Sequence, residues 1–269
     1  MTAGEFHKMH GLGNDFVVID ARIVPVAMPP ARAKAIADRR TGIGCDQLIV
    51  LEPSDCADFK MRIFNADGGE VEACGNATRA VSILVGGINR IETLGGILSG
   101  KAFEGGATVQ MSPPKFDWDS IPLAYPVDTS ALPVGWGELE APFCVNVGNP
   151  HIVFFVEDAD AVDLETLGPI IEHDPLFPER VNVNVATAAG PNHVRLRVWE
   201  RGVGITRACG TGACATAVAA IRKGLVQSPV TVTLTGGDLV IAWNPGGEIE
   251  MTGAATRVYT GMADWEDFG

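Results

Sequence analysis

The tetrapeptide Ala73-Cys74-Gly75-Asn76 returns 135 residues later (209 − 74) as Ala208-Cys209-Gly210-Thr211. The same shift carries Gly13-Asn14 onto Gly148-Asn149, Gln47 onto Asn182, Arg62 onto Arg197, Asn65 onto Glu200, Gly69 onto Gly204 and Ala80 onto Ala215, without a gap. One coincidence among Gly-rich turns would mean little. A constant offset at sites spread from residue 13 to residue 80 marks a duplication. Its period lies far above the roughly 20–50 residues of solenoid repeats, so the repeating unit is a domain. We therefore expect an α/β (α+β) chain of two domains related by a pseudo-twofold axis. The boundaries read as 1–113 and 114–255, with 256–269 returning to complete the first domain.

Local patterns agree with a repeat of strands and helices. Phe16 to Asp20 and His151 to Val156 are β-rich runs that follow Gly-Asn turns. Phe59 to Phe64 and Val194 to Trp199 alternate as strands do. A helix is predicted after each repeated cysteine, over Ala77 to Val85 and over Ala213 to Lys223, the second ended by Gly224. Further strands are predicted at Ala107 to Met111, Val230 to Thr235, Leu239 to Trp243 and Thr256 to Tyr259. The Pro-rich stretch from Ser112 to Pro133 reads as a linker into the second half.

Charge and composition exclude several partners. The formal net charge of −13 argues against nucleic acid and anionic membrane, which both need a basic surface. Apolar stretches such as Val81 to Val85 fall far short of the ~20 residues that span a bilayer. No basic stretch followed by an apolar core opens the chain, so a cytoplasmic location is expected. The six cysteines, at 45, 56, 74, 144, 209 and 214, then read as thiols in a reducing compartment rather than as three disulfides.

Each repeated cysteine lies between a predicted strand and a predicted helix, with Gly directly after it. A helix N-terminus offers unpaired N–H groups and about half a unit of positive charge. That setting is expected to lower a thiol pKa and to seat an anion such as a carboxylate. Two such halves facing one another would aim Cys74 and Cys209 at one point from opposite sides. Stereoinversion at an α-carbon requires this, with a base on one face and an acid on the other. The remaining four cysteines read as small apolar fillers. A redox pair is disfavoured by the lack of a C-x-x-C motif. No zinc spacing, P-loop or Gly-x-Gly-x-x-Gly is present, and no lysine lies in either repeated motif, so no metal, nucleotide or pyridoxal phosphate is expected.

Polar residues cluster around the repeats. Asn14, Gln47, Asn65, Asn149 and Asn182 are amides beside turns or strand ends, able to meet both ammonium and carboxylate groups. Glu200 can hold an ammonium, and Arg201 can clamp a carboxylate in two-point fashion. His151, after Asn149-Pro150, is a candidate to orient an amino group.

Motifs along nearly the whole chain resemble the diaminopimelate epimerases. They are Lys8 to Phe16, Gly42 to Leu48, Arg62 to Gly68, Cys74-Gly75-Asn76, Gly148 to His151, Leu167-Gly168-Pro169, Glu200-Arg201-Gly202 and Ala208 to Cys214. The resemblance implies a cofactor-independent epimerase that converts LL-2,6-diaminopimelate to the meso form, for lysine and peptidoglycan precursors. It also implies two strand-rich barrels, each around a central helix, with the site in the cleft of a homodimeric enzyme. By position, Cys74 and Cys209 correspond to the family's catalytic cysteines. Its substrate contacts fall on Asn14, Gln47, Asn65, Gly75, Asn76, Asn149, Asn182, Glu200, Arg201, Gly210 and Thr211. The chain departs from the family pattern at Ala77, where Gly is usual, at Cys45, where an aromatic is common, and at Ile205, often acidic. A proline or hydroxyproline racemase of the same fold is the nearest rival, and a non-catalytic amino-acid-binding protein is a second. The Glu200-Arg201 pair favours a substrate with a distal ammonium and carboxylate, which proline lacks.

Overall fold

The computed structural model describes residues 3–72 and 74–269; Ala73 of the first cysteine motif lies outside them. The chain divides into two compact units. One holds the residues up to Val109 together with Gly253–Gly269, and the other is Gln110–Thr252.

The first unit is built from β1 (Ala3–Gly11), β2 (Asn14–Asp20), α1 (Pro30–Ala37), β3 (Gln47–Glu52), β4 (Phe59–Asn65), β5 (Glu70–Val71), α2 (Gly75–Val85), β6 (Ile88–Thr93) and β7 (Gly96–Phe103), with β8 (Gly106–Met111) leading out. β1 pairs antiparallel with β2, β2 parallel with β3, and β3 antiparallel with β4. β4 then pairs antiparallel with β5 and parallel with β6, which turns back antiparallel into β7. Both faces of this sheet are covered. Val17, Ile19, Leu48 and Val50 pack with Ala33 and Ile36 of α1. Phe16, Val18, Ile49 and Leu51 pack with Ala77, Ala80 and Val81 of α2. Two-sided burial explains why β2 and β3 are continuous apolar runs rather than alternating ones. The first two turns of α2, from Gly75 to Ser82, are buried on all sides, as a central helix requires.

The second unit repeats this plan. It contains β9 (Gly135–Trp136), β10 (Leu139–Glu140), β11 (Phe143–Asn146), β12 (Pro150–Phe155), α3 (Leu164–Glu172), β13 (Asn182–Gly190), β14 (His193–Glu200), β15 (Gly204–Thr206), α4 (Gly210–Arg222), β16 (Val230–Leu234), β17 (Gly237–Trp243) and β18 (Ile249–Ala254). The pairings β11–β12, β12–β13, β13–β14, β14–β15, β14–β16 and β16–β17 have the same directions as their counterparts in the first unit. Register is also kept. Phe16 faces Gln47 and His151 faces Asn182, each 135 residues on (151 − 16, 182 − 47). Ile63 faces Val71 as Val198 faces Thr206, at the same offset. Past the central helix the offset becomes 141, with Ile91 facing Leu98 as Val232 faces Leu239 (232 − 91, 239 − 98). The additional residues therefore enter partly in the central helix, which has 13 residues in α4 against 11 in α2, and otherwise in the connection to the next strand. α4 is sheathed like α2, with Gly212 to Ala220 buried.

β19 (Thr256–Asp264) belongs to the first unit and pairs antiparallel with β1, and Trp265 of the following 3₁₀ turn joins the core beside α1. The fold is thus mixed α/β and rich in strands. One expectation needs correction. Ser112 to Pro133 lacks regular structure but is no loose linker, because Ile121, Leu123 and Leu132 lie in the core of the second unit. The sequence patterns also did not reveal α1 and α3. α1 is short and opens on Pro29-Pro30, and α3 carries Pro169 inside it, a residue that normally ends a helix.

Candidate active site

In the first unit, strand polarity gathers the polar candidates at one end of the sheet. β2 and β3 run parallel and begin with Asn14 and Gln47, whereas β4 runs opposite and ends with Asn65. The Leu12-Gly13 turn, with φ of 57° and 91°, closes the β1–β2 hairpin in two residues and fixes Asn14 at the strand start. Gln47 Nε2 donates to Asn65 Oδ1 at 3.0 Å, while Gln47 Oε1 is buried with no hydrogen-bond partner. Cys74 is the N-cap of α2. Its backbone is extended (φ −145°), and its Sγ accepts the Ala77 N–H at 3.5 Å. Asn14 Oδ1 lies 4.0 Å from Cys74 Sγ and accepts from Asn76 Nδ2 at 3.3 Å.

An ionic cluster backs this end. Asn14 Nδ2 donates to Asp46 Oδ2 at 3.2 Å, and Arg39 bridges Asp46 and Asp15 at 2.7 and 2.5 Å. Lys8 also donates to Asp15 and to the Gly44 carbonyl. Burial alone would raise the Asp15 carboxyl, but the hydrogen bonds from Arg39 and Lys8 hold it far below the usual carboxylate range.

The second unit sets out the same plan with different chemistry. Cys209 is the N-cap of α4 (φ −128°), and its Sγ accepts the Gly212 N–H at 3.4 Å and lies 3.6 Å from Thr211 Oγ1. Gly212 has no room for a side chain, since a Cβ would sit 2.8 Å from Asn184 Oδ1 and 3.1 Å from Val198 Cγ2. Asn182 opens β13 and Glu200 closes β14. Asn182 is buried and fully engaged: its Nδ2 donates to the Pro150 carbonyl at 2.8 Å, and its Oδ1 accepts the Arg201 N–H at 3.0 Å. Both of these partners are backbone groups. Arg201 is exposed and donates to the Glu179 carbonyl at 3.0 Å. Glu200 accepts from Thr206 Oγ1 at 2.5 Å.

His151 is wholly buried and bonds through Nε2 to Asn149 Oδ1 at 2.8 Å and through Nδ1 to Asn184 Nδ2 at 3.0 Å. Since the Asn184 amide donates, Nδ1 accepts and Nε2 carries the proton. Burial, with the positive charge of Arg201 adding to it, pushes His151 down to about 3, so the ring is neutral.

The expected lowering of thiol pKa by the helix N-terminus does not hold at Cys209. Burial raises this thiol well above its ordinary value and the Glu200 carboxylate raises it further, outweighing the donors at Thr211 and Gly212. Cys45 is likewise pushed up by burial, to about 12, as expected of an apolar filler, whereas Cys56 is exposed and departs from that expectation.

Three supporting residues were not singled out from the sequence. Asn184 interrupts the apolar run of β13, an unfavourable place for Asn, and that was its signal. Arg79 lies buried on α2. Glu172, at the end of α3, accepts from Trp199 Nε1 at 2.7 Å and from the Gly202 N–H at 2.9 Å, so it holds both ends of the Glu200-Arg201 turn. Nothing in its spacing marked it. Among the described residues, no group of three or more His, Cys, Asp or Glu side chains converges as metal ligands. No helix among them is long and apolar enough to cross a membrane.

The diaminopimelate epimerase family model matches residues 6–116 and 143–258, one segment in each repeat. The chain belongs to the diaminopimelate epimerase family. It is 70% identical over 267 residues to the diaminopimelate epimerase of Sphingopyxis alaskensis, covering 99% of this chain and all of that protein. The enzyme of that name from Zymomonas mobilis is 55% identical, covering 98% of each chain. Members of this family are epimerases, and the protein is accordingly an isomerase. Solved structures at lower identity share its fold. A Bacillus anthracis phenazine biosynthesis protein of the PhzF family superposes with a TM-score of 0.69 at 15% identity, covering 98% of this chain and 99% of that one. A hydroxyproline epimerase from Agrobacterium vitis gives 0.67 at 16% identity, covering 98% and 91%.

Proposed function

We propose that the protein epimerises LL-2,6-diaminopimelate to the meso isomer without a cofactor, with Cys74 and Cys209 as the two acid–base groups. One observation carries this reading: both cysteines cap the central helix of the same fold, at equivalent positions. One thiolate takes the α-proton from one face, and the thiol of the other returns a proton to the opposite face. Thiol and thiolate have then exchanged places, and reversing the reaction uses the same groups.

The unpaired N–H groups at the start of each helix seat the reacting carboxylate and hold the negative charge that builds as the proton leaves. Asn14, Gln47, Asn65, Asn76, Asn149 and Thr211, with the backbone of Gly75 and Gly210, line the site. The unpartnered Gln47 Oε1 accepts from an ammonium. Arg201 and Glu200 take the distal carboxylate and ammonium. Asn182 and His151 support these groups from behind. The enzyme acts in the cytoplasm as a homodimer and supplies lysine and peptidoglycan precursors.

The test is incubation with LL-diaminopimelate in heavy water. Deuterium at one α-carbon together with the meso isomer is expected. Binding without either would leave a non-catalytic amino-acid-binding protein, and turnover of proline in place of diaminopimelate would assign the chemistry to the rival substrate.

A further inference from the structure

Arg79 is the largest wholly buried side chain among the described residues, and it lies one turn into the helix that Cys74 caps. Its Nη2 donates to Asn76 Oδ1 at 2.8 Å. Asn76 Nδ2 donates to Asn14 Oδ1 at 3.3 Å, and Asn14 Nδ2 donates to Asp46 Oδ2 at 3.2 Å. The chain of bonds thus runs from a guanidinium through two amides to a carboxylate.

A carboxamide has a donor end and an acceptor end of nearly the same shape, so its orientation is set only by its partners. A guanidinium can only donate and an ionised carboxylate can only accept. With Arg79 at one end and Asp46 at the other, both amides have a single consistent orientation. The outcome at the thiol is specific: Asn14 turns its carbonyl oxygen, not its NH₂, toward Cys74 Sγ at 4.0 Å. Gly11 leaves room for the buried fork, since a Cβ there would meet Arg79 Nη2 at 3.3 Å.

The duplication shows that this device is not part of the shared scaffold. The residue 135 positions after Arg79 is Cys214 (214 − 79), whose Sγ contacts Met111 at 3.6 Å. In the second unit the orienting bond to Asn149 comes instead from neutral His151.

We propose that Arg79 is a positioning residue of the first half-site, which through Asn76 fixes the amide orientation of Asn14 and so the hydrogen-bond partner offered to Cys74. This rests on the reading of Cys74 as an acid–base group. The experiment measures kcat and KM for epimerisation in wild type, Arg79→Met, Arg79→Lys and Asp46→Ala, each alone and with Asn14→Ala, alongside thermal melts. Loss of a bond to a charged donor predicts a fall in kcat/KM of about ten- to a hundredfold for Arg79→Met. Arg79→Lys, which keeps a donor, recovers most of it. Asp46→Ala, on the half-exposed end of the chain, falls about fivefold. Both losses disappear in the Asn14→Ala background, because nothing is left to orient.

Equal damage from Lys and Met at equal melting temperature would overturn the proposal, as would losses that persist unchanged without Asn14. Should Arg79→Met not fold, the Asp46–Asn14 cycle decides alone by the same criterion. An inactive wild type would count against the reading of the reaction, whereas an active wild type with additive losses counts against Arg79 alone.

Discussion

His151 Nε2 donates to Asn149 Oδ1 across 2.8 Å, from a ring with no exposed surface. The bond fixes one end of the Asn149 amide, and the donation from Asn184 Nδ2 to Nδ1 on the other side of the ring requires that His151 stay uncharged. The folded pKa of about 3 lies below the ordinary value of 6.5. Between those values the unfolded chain binds a proton that the folded protein does not, so stability falls as pH drops from about 6.5 toward 3. The slope from this residue is at most about 1.4 kcal/mol per pH unit. Urea unfolding of His151→Gln from pH 7 to pH 4 should show a shallower decline than wild type. An identical decline would remove His151 as its source.

On the proposed two-base scheme, Cys74→Ala and Cys209→Ala should each abolish epimerisation, since each would remove the acid or base for one face. Coupled assay of meso-isomer formation measures this. Near-normal turnover by either single variant would rule out the two-base scheme.

Cys209 should alkylate slowly with iodoacetamide at neutral pH, because the reactive thiolate is scarce when burial and Glu200 raise the pKa. Glu200→Gln removes the like charge and should lower that pKa. Labelling at Cys209, followed by peptide mass spectrometry across pH, should then begin at lower pH than in wild type. A profile that stays put or moves to higher pH would contradict the assigned cause.

Gly212→Ala should destabilise the second unit by about 1–3 kcal/mol, the usual cost of forcing a methyl into a filled space. The new methyl would displace Asn184, and with it the acceptor arrangement at His151. A drop of several degrees in melting temperature is expected, with reduced kcat. An unchanged melt would show that the packing at Val198 and Asn184 yields freely.

The duplication was legible because its markers are rare residues at turns and caps, where backbone geometry restricts the choice. Cys74 and Cys209 proved to be N-caps, and the central helices begin two and three residues earlier than predicted, at Gly75 and Gly210. The supports were less legible. Arg79 on a helix and Glu172 at a helix end resemble ordinary surface charges in sequence, and only packing reveals that they are buried. Spacing singled out Asn182, but not its two backbone partners, which come from Pro150 and Arg201. The raised pKa of Cys209 was illegible for a similar reason. The helix end is local, whereas the burial that outweighs it comes from distant parts of the chain.

β1 finds its partner in β19, which follows the whole of the second unit along the chain. The unit that starts first on the ribosome is therefore finished last, the reverse of the usual N-terminal-first order. While the second unit is being made, β1 waits with one edge open, so a nascent chain halted before Thr256 would expose a strand able to pair with a neighbour. Stalled or prematurely terminated chains should therefore fail on the Cys74 side, even when the domain bearing Cys209 has already folded.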